Sequence, residues 1–459
     1  MIKRVREVLL VILACSLSLT GCWDRIELED VAWVQAMGFD VGADGYLATT
    51  LQIGIPHSLR SAIMAGGGQG PEYLTITVNS KTALEALDLA SVNLGRRVSL
   101  VHTQAFFFGE ELARRDIRGL AGAMDRYKEI RGTALMAVVK GKAEDLLRLD
   151  TSPLETSPSR FIQTLLQQHA HTGLFKASSF VRDFVNHLES SAEAPHAPLI
   201  GIAADYKPSS GSGGGGPAST PADQYPPAPQ VGEELEEGKI PPPLTGPAGS
   251  SLQTEAGMLP KLGGGPVAML GTAVFAGGKM VGTLTGEETR ALLAVQNDFE
   301  RGSYAIPDPE KPDDIAYSLG FTVHRANSDI DVERNGDKVK IGVRLDIEAS
   351  YMSPKTETDY TDPRLIYRAE SALANYIKHH LDTAITRTQQ EMRVDPFGFG
   401  RYVKGTFLTW PEWEAFEWHN KYPDAEIVTE VVVKVLRYGL DLGPLQVPQW
   451  EKTRAKESQ

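Results

Sequence analysis

Residues Asp329 to Tyr351 read DIDVERNGDKVKIGVRLDIEASY, and their alternation decides the fold of the last third of the chain. Ile330 and Val332 alternate with acids; Val339, Ile341, Val343, Leu345 and Ile347 alternate as strictly with polar residues. A period of two puts these apolar side chains on one face, so each strand has a buried side and a wet side. Asn335-Gly336 between the runs predicts a tight hairpin turn, because both residues tolerate a positive φ. Asp362-Pro363 then opens a long helix, with proline at the first helical position where its missing N–H costs nothing. Its stripe of Ile366, Ala369, Leu373, Tyr376, Ile377, Leu381, Ala384 and Ile385 fits a helix laid on a sheet. EIVTEVVVKVLRYG is expected as a final, central strand. The last third is therefore α+β, an antiparallel sheet with helices on one face.

Upstream, composition breaks between Ala203 and Pro266, with SSGSGGGGPASTPADQYPPAPQ, GEELEEGKIPPP and Gly263-Gly264-Gly265. So few large apolar residues do not offset the entropy of ordering, and this stretch is expected to be disordered. Before it, GYLATTLQIGI, YLTITVNS, HTQAFFFG, GTALMAVVKG and APLIGIAA read as strands, with MAGGGQGPE a flexible loop. SKTALEALDLASVNLG reads as a helix capped by Ser80 and closed by Gly95. EELARRDIRGLAGAMDRYKEIR reads as another, and helical stretches follow around Arg160 to His169 and Ser178 to Leu188. After the break, MLGTAVFAGGKMVGTLTGEETRALLAVQND reads as a hairpin turning at Gly277-Gly278, then a helix opened by Thr285. The strand before the break and the hairpin after it are expected to share one sheet.

The two cysteines of this 459-residue chain, Cys15 and Cys22, both lie within the first 22 positions. Lys3, Arg4 and Arg6 precede a twelve-residue run from Val8 to Leu19, then small residues, which fits a secretory signal. A spanning helix needs roughly 20 apolar residues, so the run is too short for a confident anchor. Leu19-Thr20-Gly21-Cys22 looks like a bacterial lipobox, which makes residues 1–21 a leader and Cys22 the lipid-bearing first mature residue. An ordinary signal peptide with two small buried cysteines is the alternative. Two acyl chains hold where one myristoyl-length chain binds only marginally. Losing the leader, net +2, takes the formal charge from −13 to −15. Such an acidic body is repelled by anionic lipid and by nucleic acid, so no nucleic-acid partner is expected.

No H-E-x-x-H, C-x-x-C, G-x-S-x-G or G-x-x-x-x-G-K-[ST] occurs, and no cofactor, metal or catalytic residue is expected. His169 and His171, two apart, would face different sides of a helix. His379-His380 would place one ring near the buried stripe and the other in solvent, and His102 reads as a core or helix-contact histidine. Arg96, Arg97, Arg114, Arg115, Arg118, Arg126 and Arg131 concentrate positive charge. They read either as a solvated helix face with local ion pairs or as a docking patch for an acidic partner. Trp410, Trp413 and Trp418, with Phe397, Phe399 and Tyr422, are expected to pack a satellite core; an exposed interface is the other reading.

These stretches together resemble the C-subunit lipoproteins of bacterial spore germinant receptors, the Ger(x)C family. The similarity runs through Gly21-Cys22-Trp23-Asp24 with Glu27-Leu28, GEELARRDIRGLAGAMDRYKEIRG with Arg126 and Arg131, GTAVFAGGKMVGTLTGEET, DPFGFGRYV and WPEWEAFEWHNKYP. The Gly/Pro-rich stretch departs from the pattern. The resemblance implies three mixed α/β domains with mainly antiparallel sheets and packed helices: 22–131, 132–300 with the insertion at 203–266, and 315–445. It implies a non-enzymatic lipoprotein on the outer face of the inner spore membrane, assembled with two integral-membrane subunits, A and B. A small-nutrient germinant is a candidate ligand. Trp23, Asp24, Glu27, Arg126 and Arg131 are the expected partner-binding residues, Cys22 the lipidation site. A lipid-anchored solute-binding protein is the rival; it would show two similar Rossmann-like halves around a cleft. An exported hydrolase is the other.

Overall fold

The computed structural model describes residues 4–6, 27–55, 73–149, 164, 169–176, 179–202, 256–257, 266–312, 317–355, 358, 360 and 362–438. The leader but for residues 4–6, Cys22, Trp23, Asp24, the loop MAGGGQGPE, most of Arg160 to His169 and most of Ala203 to Pro266 lie outside them.

Nine strands make the larger sheet: β1 (Val31–Val41), β2 (Leu47–Gly54), β3 (Tyr73–Ser80), β4 (Arg97–Ser99), β5 (Ala105–Gly109), β6 (Leu135–Lys140), β7 (His196–Ile202), β8 (Val267–Ala276) and β9 (Lys279–Leu284). Their order is β3-β2-β1-β5-β6-β7-β8-β9, with β4 on β1. The four in the middle, β1, β5, β6 and β7, run parallel, and the flanking pairs are antiparallel. Parallel strands are covered on both faces and read as continuous apolar runs. Phe106, Phe107 and Phe108 are all fully buried, alternately on the two faces. β1 is buried on both faces as well, so no alternation announces it in VAWVQAMGFDV.

One face carries α1 (Ala83–Leu94), α3 (Arg118–Arg126) and α5 (Val181–Glu189); the other carries α4 (Ala143–Arg148). α1 is capped by Thr82, whose side chain accepts the Glu85 N–H at 3.2 Å, while Ser80 is buried and donates to the Thr82 carbonyl. The helix read over EELARRDIRGLAGAMDRYKEIR is two, α2 (Glu110–Ala113) and α3. Between them the Ile117 N–H donates to Gly278 O at 2.9 Å, so contact with the β8–β9 turn outcompetes helical continuity. α5 starts at Val181, not Ser178, because the 179–181 segment pairs with residues 134–136. β7 and β8 pair across the unlike stretch, which joins its two flanks in one sheet. The sheet also continues through the 131/132 position, since β5 and β6 are hydrogen-bonded neighbours.

The smaller sheet is β10 (Gly302–Pro307), β11 (Ser318–Asn335), β12 (Lys338–Lys355) and β13 (Glu426–Tyr438), in that order. Asn335 pairs with Lys338, so the turn residues are Gly336 and Asp337, and only Gly336 has a positive φ, 62°. The alternation does not distinguish this register from a turn at Asn335-Gly336. Both set apolar opposite apolar, and the turn geometry decides. β13 is an edge strand parallel to β12, not central. The cause is α7 (Pro363–Arg387), capped by Asp362, which crosses the sheet and returns the chain in the direction of β12. Its buried side includes Ala369, Leu373, Ile377, His380, Leu381, Ala384 and Ile385, close to the predicted stripe.

α6 (Gly286–Val295) lies between the sheets with every residue buried, opened by a Thr285/Glu288 capping box. Its buried Glu287–Arg290 pair, 3.2 Å, is completed by Arg290 Nε donating to Thr172 O at 2.9 Å. The two sheets differ in strand number and topology, so the described residues do not form two similar halves.

Candidate interaction site

Of the predicted residues, topology brings Glu27, Arg126 and Arg131 to one end of the larger sheet; Trp23 and Asp24 lie outside the described residues. Register sets Ala36 beside Ala105, Ala105 beside Leu135 and Val138 beside Leu199, so β1, β5, β6 and β7 all begin at that end. Glu27 enters there, exposed, through a short 3-10 turn Leu28–Asp30 that leads directly into β1. β3 and β5 finish at the opposite end, so α1 and α3 run back to this one. They deliver Arg96, Arg97, Arg126 and the 127–134 loop beside the start of β1, where Val31 pairs with Arg97.

Glu129 fixes that loop by accepting Ser99 Oγ at 3.0 Å, the Leu100 N–H at 2.9 Å and Arg97 at 3.4 Å. Burial, then the Glu129 charge, push the nearby Tyr127 phenol above its ordinary range. His102 is exposed, with its ring 5.0 Å from Trp33 in an edge contact, because the turn after β4 carries it outside the core. The arginines then sort by partner. Arg114 and Arg115 pair with Glu110 and Glu111 within one helical turn, at 2.7 and 2.8 Å. Exposed pairs of this kind contribute about 0.3–0.5 kcal/mol and are a solvated helix face. Arg126 and Arg131 are exposed and make no ion pair among the described residues. Arg126 lies back over Gly122, and Arg131 is followed by Gly132, against which Arg182 rests.

Residues Ser190 to Ala194, leading into β7, open on the same end and are covered by the aromatic C-terminal motif. α8 (Phe399–Lys404), α9 (Trp410–Phe416) and α10 (Trp418–Lys421) form that cover. Trp413, Trp418, Phe397, Phe399 and Tyr422 are buried, but in the one core they share with the smaller sheet and α7 rather than in a separate satellite; Trp410 is exposed. Asp395 is its hub, accepting the N–H groups of Gly398 and Gly400 and the Trp418 indole, each at 2.9 Å. The Asp395 carbonyl takes the Ala194 N–H at 2.7 Å. Glu193, 3% exposed, is held by His187 and by Arg401, 208 positions away in sequence. Burial favours its neutral form, but the His187 and Arg401 hydrogen bonds outweigh that and hold it down at about 2. His196 is fully buried, its ring stacked 5.4 Å from His187, and burial keeps its imidazole well below the usual value. No motif marks Glu193, His187 or His196 in the sequence; Asp395 had a local signal, an Asp-Pro before two glycines. Among the described residues no group of His, Cys, Asp or Glu is placed to hold a metal ion.

Burial pushes the Asp395 carboxyl up to about 6, against the N–H groups that favour its charge. A folded value above the ordinary 3.8 means the folded state holds the proton more tightly. This group therefore adds stability as pH falls through about 6, levelling off near 4. Asp395→Asn removes the titration, so it should cost about 1 kcal/mol more at about pH 5 than at about pH 7. Paired denaturant melts check this, and an equal cost at both would place the proton elsewhere.

Residues 24–202 match the family described as "Spore germination protein N-terminal domain". Residues 270–439 match "Spore germination B3/GerAC like, C-terminal", and the Gly/Pro-rich stretch falls between the two matches. Putative spore germination protein YfkR of Bacillus subtilis (strain 168) is 23% identical over 441 residues, 95% of this chain and 98% of that protein. Spore germination protein KC of the same organism is 25% identical over 453 residues, 96% and 98%. The crystal structure of the GerBC protein superposes with a TM-score of 0.48 at 12% identity, covering 87% of this chain and 96% of that one. With both halves matched in order, the chain belongs to the GerAC-like, or Ger(x)C, family of spore germination proteins.

Proposed function

We propose that this chain is the lipid-anchored C subunit of a spore germinant receptor, working by contact with two membrane subunits, A and B, when a small nutrient triggers germination. In this reading Cys22 carries the diacylglyceryl thioether on the outer face of the inner spore membrane. Trp23, Asp24 and Glu27 meet a membrane subunit close to the bilayer, and Arg126 and Arg131 meet acidic groups beside them. The supporting observation is the convergence of Glu27, Arg126 and Arg131 on one end of the sheet. Glu27 comes five positions after Cys22, a reach of at most about 18 Å. A tether that short holds the basic end near the bilayer and raises its effective concentration at embedded partners.

Deleting the gene should abolish germination on one or a few single nutrients while others still act; an unchanged response to every nutrient would refute the assignment. Charge reversal tests the contact itself. Arg126→Glu with Arg131→Glu is expected to lower co-isolation of the membrane subunits at least tenfold, as loss of about 1.4 kcal/mol or more would. Thermal melts should be unchanged, since both side chains are exposed. Undiminished co-isolation would move the contact off this face.

A further inference from the structure

The loop joining α8 to α9 displays apolar side chains to solvent. Leu408 is 96% exposed and Trp410, at the start of α9, 53%. This is not a loose segment. The N–H groups of Gly405, Thr406 and Phe407 donate to the Tyr402, Val403 and Lys404 carbonyls at 3.0, 3.0 and 3.1 Å. Phe407 packs 5.0 Å from Phe416 and 5.6 Å from Trp413, under the Arg334 guanidinium at 4.2 Å. Arg334 also donates to Thr406 Oγ1 at 3.0 Å. The loop is thus fixed from behind with these backbone donors satisfied, which is what a segment needs before entering a layer poor in water.

Its position follows from its roots. α8 starts against Ala192, where the Gly400 backbone meets the Ala192 carbonyl, and α9 returns to Ser191, which accepts the Trp413 indole at 2.8 Å. Both roots lie just before β7, at the end of the sheet where β1 begins three strands away. At ~4.8 Å per strand that is about 14 Å, comparable to the reach from Glu27 to Cys22. The Lys404 ammonium sits 4.3 Å over the Trp410 ring, a pairing of amphipathic aromatic and cation that suits the headgroup layer. Glu412 and Glu414 nearby oppose deep insertion and attraction to anionic lipid, so the fit is to a shallow, largely apolar contact.

We propose that Leu408 and Trp410 touch the interfacial layer of the bilayer, giving the body a second, non-covalent hold that fixes its orientation. This rests on the anchor at Cys22, and the test separates the two. In the mature lipidated chain, Leu408→Cys offers a single free thiol for a fluorophore; Asp44→Cys, exposed at the opposite end of the sheet, is the control. The full-length protein goes into phosphatidylcholine vesicles whose acyl chains carry bromine. Quenching at position 408 and not at position 44, unaltered by high salt, is the expected result. No quenching at 408, equal quenching at both, or quenching at 408 only once the membrane subunits are added would overturn the proposal. Two labels per chain would report an unacylated Cys22, a failure of the anchor that leaves the quenching comparison to decide the loop.

Discussion

On the anchoring proposed above, Cys22→Ala is expected to release the protein from the spore's inner membrane and to remove the nutrient responses that depend on it. Each buried CH₂ of an acyl chain contributes about 0.8 kcal/mol, and one myristoyl chain gives an affinity near 10⁴ M⁻¹. A second chain multiplies that into stable attachment. No helix among the described residues is long and apolar enough to cross a membrane in its place. Tethering also lifts the effective concentration of the body at its partners, so its loss should weaken apparent assembly by 10²–10⁴-fold. The variant is best given an ordinary signal-peptidase site, because a retained leader would keep its apolar run. Membrane fractionation, intact-mass measurement and single-nutrient germination read the outcome. A variant that stays at the membrane and germinates normally would contradict the anchored reading.

Gly400→Ala is expected to cost about 3 kcal/mol, the upper part of the range for overpacking. An added Cβ would sit 2.2 Å from the Ala192 carbonyl oxygen and 2.4 Å from the Trp418 ring. The first neighbour is backbone and the second belongs to a fully buried tryptophan bonded to Asp395, so neither yields cheaply. At about 2–4 °C per kcal/mol for a body of this size, the melting temperature should fall by roughly 6–12 °C. Gly119→Ala is the control. Nothing lies within 4 Å of its new Cβ, and it sits in helix α3, where the change stabilises by up to about 1 kcal/mol. A Gly400→Ala protein that melts with wild type would mean that the C-terminal motif does not bear on Ala192.

Sequence patterning served best where one face is wet. Along β11 and β12 the alternation from Ile330 to Ile347 carries the buried face, and the α7 stripe is nearly the one found, with His380 on its buried side. The helix start at Thr285 and the turn at Gly277-Gly278 were equally legible, because each is made by residues within a few positions. β1 was not, since burial on both faces erases the alternation. β13 read as central because its valines are apolar, although Val428 and Leu436 are about half exposed at an edge. Its partner is set by a helix crossing, which no local pattern encodes. The resemblance named Glu27, Arg126 and Arg131 one by one as candidates but did not set them at one place. Strand order alone brings Arg126 and Arg131 to the end of the sheet where Glu27 leads into β1. Glu193 and Arg401 meet across 208 positions, which no spacing reveals, and the local signal at Asp395 does not tell that its carbonyl would take the Ala194 N–H.

That long reach sets an order of events. A polypeptide emerges N-terminus first, so Glu193 and the bare backbone of Ser190 to Ala194 are made some two hundred residues before Arg401 can meet them. Until the final seventh of the chain arrives, the mouth of the larger sheet beside β7 stands uncovered, with a carboxylate awaiting its guanidinium. Nascent or truncated molecules ending before Asp395 would thus be the sticky ones, and quality control on this protein has a defined last step to watch.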